Sequence, residues 1–111
     1  MIKITILRKP DGNYKEVRVF GHAESVEMGA DLVCCAISTL TINLVNSLEK
    51  FADDEVDVID NDDLGLIQIT FKDDKNSDQA KLLCDSYTLG ISQIYFGNEY
   101  DSWSKVTIKE V

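Results

Sequence analysis

The sequence predicts an α/β chain of the α+β type, a two-layer sandwich in which two helices cover one face of a five-stranded, mostly antiparallel or mixed sheet in the order β-β-α-β-β-α-β. Three observations carry this. Five short stretches alternate apolar and polar residues, the period of a half-buried strand. Two longer stretches repeat apolar residues every three or four positions, the period of a helix with one buried face. Pro, Gly, Asn and Asp gather in the connections, where turns need them. The 111 residues, 44% hydrophobic and 28% charged, are expected to form a single domain over residues 1–111, large enough to bury about two thirds of the unfolded surface without cross-links.

Along the chain, Ile2, Ile4 and Ile6 face one way and Lys3 and Thr5 the other, predicting a strand over residues 2–7. Pro10, Asp11, Gly12 and Asn13 reverse the chain, and residues 14–20 resume the alternation through Val17 and Val19, giving a hairpin. Gly21 ends this strand. Residues 23–30 lack periodicity, include Gly29 and read as a loop. From Asp31 the period becomes helical, with Val33, Ala36, Ile37, Leu40, Leu44 and Leu48 on one face and an end near Lys50 or Phe51. Asp31 is the expected N-cap, which makes Cys34 the third helical residue, with an amide that lacks an intrahelical partner.

A strand follows at residues 56–59 and another at 64–71, joined by an Asp-rich turn through Asn61. The second helix begins at a cap on Asn76 or Ser77, and with Asn76 as the cap Gln79 completes a capping-box-like start. Its inner face is Ala80, Leu83, Cys84, Tyr87, Ile91 and Ile94, with Gly90 marking close packing against the sheet or an early end. Tyr95, Phe96, Tyr100 and Trp103 form an aromatic region expected to pack under the sheet, and residues 103–111 form the last strand, with Val106 and Ile108 inward.

Twenty acidic residues against eleven basic ones give a net charge of −9. Such a surface repels phosphate backbones and anionic lipid, so no direct nucleic-acid or membrane partner is expected; a cationic protein or peptide is the partner that charge favours, with solubility alone as the equally weighted alternative. Apolar runs are interrupted by Thr, Ser or Asn, so no span of membrane length is expected. No leader pattern precedes the first strand, and three cysteines, two of them adjacent, make a poor disulfide framework; a cytoplasmic location is expected. The aspartates around Asn61 lack the spacing of a calcium loop, cysteine and histidine are too few for a zinc site, and there is no C-x-x-C. No metal and no cofactor are expected.

The chemistry concentrates in residues 20–38, which hold the single histidine, His22, and the pair Cys34 and Cys35. Imidazole and thiol exchange protons near neutral pH, and a thiol close to a helix N-terminus is favoured as thiolate. At about 100° per residue, Cys34 lies roughly 80° from the centre of the buried stripe, while Cys35 lies almost opposite it. Cys34 is therefore the thiol held at the edge of the core. The outward face with Cys35, Thr39 and Ile42 is apolar enough to suggest cover by the loop or by a second subunit.

The segment G-H-A followed by G-A-D-L-V-C-C-A-I-S resembles the small bacterial family of ribosomal-processing cysteine proteases called Prp, in which G-H-A precedes G-x-D-I/V-V-C-A-A-V/I-S. The matching positions are Gly21, His22, Ala23, Gly29, Asp31, Val33, Cys34, Ala36, Ile37 and Ser38. The resemblance implies a cytoplasmic, metal-independent, commonly homodimeric endopeptidase that removes the N-terminal extension of the precursor of large-subunit ribosomal protein 27. It places the nucleophile on Cys34 and the acid/base on His22, with Ala23, Glu24, Ser25, Glu27 and Gly29 in a substrate-binding loop. Asp31 either orients His22 or caps the helix. Ala30, in place of a bulkier residue, and Cys35, in place of alanine, depart from the family pattern. The competing reading is a non-catalytic acidic protein that binds during ribosome assembly.

Overall fold

Ile2, Ile4 and Ile6 are each at most 2% exposed, so the first strand buries one complete side. In the computed structural model, which describes residues 2–21, 28–94 and 104–111 and the backbone alone at 28–31, the strands are β1 (Ile2–Arg8), β2 (Tyr14–Phe20), β3 (Val56–Asn61), β4 (Leu66–Phe71) and β5 (Ser104–Glu110). The helices are α1 (Met28–Phe51) between β2 and β3, and α2 (Asp78–Ser92) between β4 and β5. The sheet order is β3-β4-β2-β1-β5. All neighbours are antiparallel except β1 and β5, which run parallel with Ile4 opposite Val106. The sheet is thus mixed, with two helices in the predicted order.

One core joins the layers. Ile2, Ile4, Ile6, Val17, Val19, Ile69 and Phe71 from the sheet meet Val33, Ile37, Leu44 and Leu48 from α1 and Ala80, Cys84, Tyr87 and Ile91 from α2. Thr41 lies in the α1 stripe and is fully buried. Its hydroxyl is within 2.8 Å of both the Ile37 carbonyl oxygen and the Tyr87 hydroxyl, which satisfies the polar group and pins the helices together. Gly90 packs against α1, not the sheet: a Cβ there would lie 3.4 Å from Leu40 Cδ1.

Several boundaries differ from expectation. The first helix starts at Met28, so Asp31 lies inside it and is not its cap; the aperiodic residues 28–30 are the first turn, not loop. Cys34 consequently stands in the second turn, where its amide belongs to the intrahelical ladder and is not an orphan donor. The α1 segment Leu32–Phe51 is long and apolar enough to cross a membrane by length and composition, contrary to the sequence expectation; here that apolar content supplies the stripe packed on the sheet. Strand β3 extends to Asn61, and β4 begins at Leu66 after a turn with Gly65 at φ +61°. Ile108 is 43% exposed, since β5 stands at the edge of the sheet with no further strand beside it among the described residues. Helix α2 ends at Ser92, and Ile94 packs on the core from beyond its end. The four aromatic residues at positions 95, 96, 100 and 103 lie outside the described residues.

Ser77 is the N-cap of α2, its hydroxyl accepting from the Ala80 amide at 3.1 Å, and Asp54 accepts hydrogen bonds from both the Ser77 amide and its hydroxyl. That leaves Asn76 for another task. Its Oδ1 accepts from the Tyr14 amide at 2.5 Å, its Nδ2 donates to the Tyr14 carbonyl at 3.1 Å, and its amide donates to Asn13 Oδ1 at 2.9 Å. Asn76 is 5% exposed, so removing its side chain orphans buried groups of the β1–β2 hairpin. Asn76→Ala should lower stability by about 2 kcal/mol, read from the urea unfolding midpoint; a loss below about 0.5 kcal/mol would contradict this clamp.

Candidate active site

Burial of Val33 and Ile37 fixes the rotation of α1 about its axis. Cys34, next to Val33, is carried to the flank of the stripe, where it is half-buried and packs against the core. Cys35, 100° further round, is exposed. Ser38 is one turn beyond Cys34 on the same side. Both line a cavity of about 170 Å³. Its apolar floor includes Ile2, Val19, Ile37 and Ile67, and its far wall is the tip of the β3–β4 hairpin with Asp60, Asn61, Asp62, Gly65 and Leu66.

The end of β2 closes the cavity. Gly21 lines it and has φ +101°, a conformation open to glycine and strained for residues with a Cβ. Its amide donates to the Gly65 carbonyl at 3.1 Å, tying the residue before His22 to the hairpin tip. Asn61 Oδ1 accepts from the Leu64 amide and the Asp62 carbonyl accepts from the Gly65 amide, which shapes the tip itself. Phe20 pairs with Leu66 across the two strands. The chain segment entering His22 is thereby anchored beside the thiol of Cys34.

His22, Ala23, Glu24, Ser25 and Glu27 lie outside the described residues. Gly29 and Asp31 are in the first turn of α1, with only their backbone described. The structure brings Cys34, Gly21 and Ser38 to one cavity. Sequence reading missed the hairpin wall, although alternation from Val56 through Val58 already places Asp60 on the helix side of β3, opposite Ile67. Among the described residues, no three His, Cys, Asp or Glu side chains are gathered to hold a metal ion.

The third cysteine is chemically different. Cys84 is fully buried, and burial, reinforced by the charges of Asp85 and Asp54, pushes its thiol up to about 12. It stays protonated at neutral pH and belongs to the core, as its place on the inner face of α2 predicts. With excess iodoacetamide at pH 8, the native protein should be alkylated at Cys34 and Cys35 and not at Cys84, which should react only after denaturation. Tryptic mass mapping checks this, and rapid native labelling of Cys84 would contradict the packing described.

A half-buried thiol on a helix flank, facing a cavity large enough for one side chain and joined at its rim by the strand end that precedes a histidine, is an arrangement suited to the cysteine-peptidase class. The comparisons agree. The family model described as cysteine protease Prp matches residues 1–102. The ribosomal processing cysteine protease Prp of Staphylococcus aureus is 28% identical over 94 residues, covering 85% of this chain and 88% of that protein. The crystal structure of the S. aureus protease with a covalently linked product peptide has a TM-score of 0.84 and 27% identity, covering 98% of this chain and 100% of that one. A protein from Streptococcus mutans gives a TM-score of 0.84 at 33% identity, covering 100% and 96%. The chain belongs to the Prp family of cysteine proteases. It is a cysteine protease, which displaces the non-catalytic alternative.

Proposed function

We propose that this chain removes the N-terminal extension from the precursor of large-subunit ribosomal protein 27, with Cys34 as nucleophile and His22 as acid and base. The observation that carries the assignment of the nucleophile is the placement of Cys34, alone of the three cysteines, in the cavity between α1 and the hairpin tip. The relative's description as a ribosomal processing protease supports the substrate.

In this mechanism His22 takes the proton of Cys34, and the thiolate attacks the scissile carbonyl carbon. The tetrahedral adduct collapses with cleavage of the C–N bond as His22 returns the proton to the leaving amine. Water, deprotonated by His22, then attacks the thioester and releases the carboxylate product and the thiol. Residues 23–27 together with Gly29 form the substrate loop, and Asp31 serves as an orienting group for His22. The enzyme acts in the cytoplasm as a homodimer, supported by the exposure of Leu32, Cys35, Thr39 and Ile42 on the outward side of α1.

The test is incubation with the precursor followed by intact-mass analysis. Wild type should shorten the precursor by its extension. Cys34→Ala should abolish cleavage, a loss of at least about 10³-fold; His22→Ala should weaken it strongly; Cys35→Ala should retain it. Cleavage by purified Cys34→Ala would refute the assignment.

A further inference from the structure

The cavity beside Cys34 combines two kinds of surface. Its floor, Ile2, Val19, Ile37 and Ile67, is apolar, while Asp60 and Asp62 stand at the rim. Asp60 occupies the third inward position of β3, after Val56 and Val58, where the alternation calls for another apolar residue. Strand register places it opposite Ile67, on the helix side of the sheet.

Neither carboxylate has a structural partner among the described residues. The ion pairs there join Lys9 to Asp74, and Lys72 to Glu55 and Asp57. The turn is held by the Asn61 side chain and by backbone groups, so the carboxylates of Asp60 and Asp62 are not needed to form it. Two exposed carboxylates, without an ion-pair partner among the described residues, thus overlook an apolar slot whose opposite wall is the nucleophile.

The geometry points to a subsite for a lysine or arginine side chain of the peptide, close to the scissile bond. A long aliphatic stem covers Ile37 and Ile67 while the cationic head reaches the carboxylates at the rim. A glutamate at the same position meets repulsion and leaves the floor uncovered. This inference rests on the peptidase reading above and adds a charge preference to it. Because the pair forms on binding and persists in the transition state, the preference falls on KM more than on kcat; because it is exposed, salt weakens it.

The experiment uses the full chain and a peptide set spanning the cleavage site. Each of the three positions on either side of the scissile bond carries, in turn, Lys, norleucine or Glu, and the norleucine peptide is the internal reference for each enzyme. At one position or more, wild type should cleave the Lys peptide with kcat/KM about 10-fold above the Glu peptide, two favourable or unfavourable exposed charges acting together. The ratio should fall toward one in 0.5 M salt and in Asp60→Asn/Asp62→Asn, and should invert in Asp60→Lys/Asp62→Lys. Equal cleavage of Lys and Glu peptides at every position, or a preference that survives both double variants, overturns the subsite and leaves the peptidase reading standing. Failure of wild type to cleave any peptide of the set overturns both.

Discussion

The structure depends on the burial of one stripe of α1 against the sheet. Val33, Ile37, Thr41, Leu44 and Leu48 are each at most 3% exposed, and full burial of each large apolar side chain contributes about 1.5–3 kcal/mol. A stripe of that strength leaves the helix no freedom to rotate. The thiol chemistry inherits its geometry from this packing: the residue after Val33 is turned to the cavity and the next one to solvent. Thr41 adds direction to the apolar contact, since its bond to the Tyr87 hydroxyl sets the register of α1 against α2.

The second constraint is the tie between chain segments remote in sequence. Asn76 holds the β1–β2 hairpin from the start of α2, and Asp54 holds that same start from the entry to β3. The Gly21–Gly65 hydrogen bond joins the end of β2 to the hairpin tip. Through these links the scaffold that supports the proposed nucleophile also supports the point where the chain departs toward His22. The proposed site lies at a junction of three elements: the flank of α1, the end of β2 and the tip of β3–β4.

Much of this was legible in the sequence because it rests on local periodicity. Alternation located all five strands, and the helical phase distinguished Cys34 from Cys35. What was not legible depended on partners far along the chain. Thr41 interrupts the apolar stripe in sequence, and only the Tyr87 hydroxyl makes its burial acceptable. Asn76 and Ser77 are both good caps; the choice is decided by Tyr14, whose buried amide needs the Asn76 side chain. The first turn of α1 carries no apolar repeat, so periodicity places its start four residues late and puts Cys34 a turn too close to the N-terminus. The parallel pairing of β5 with β1 is equally non-local, as is the placement of Asp60 at the cavity, since an acidic run by itself does not tell which carboxylates face a site.

The central claim is that position, and not exposure, selects the reactive thiol. Treatment with one equivalent of a peptide chloromethyl ketone, followed by intact mass and fragment mapping, tests it most directly. The account predicts a single adduct on Cys34, the less exposed of the adjacent thiols. An adduct on Cys35, or equal labelling of both, would contradict it.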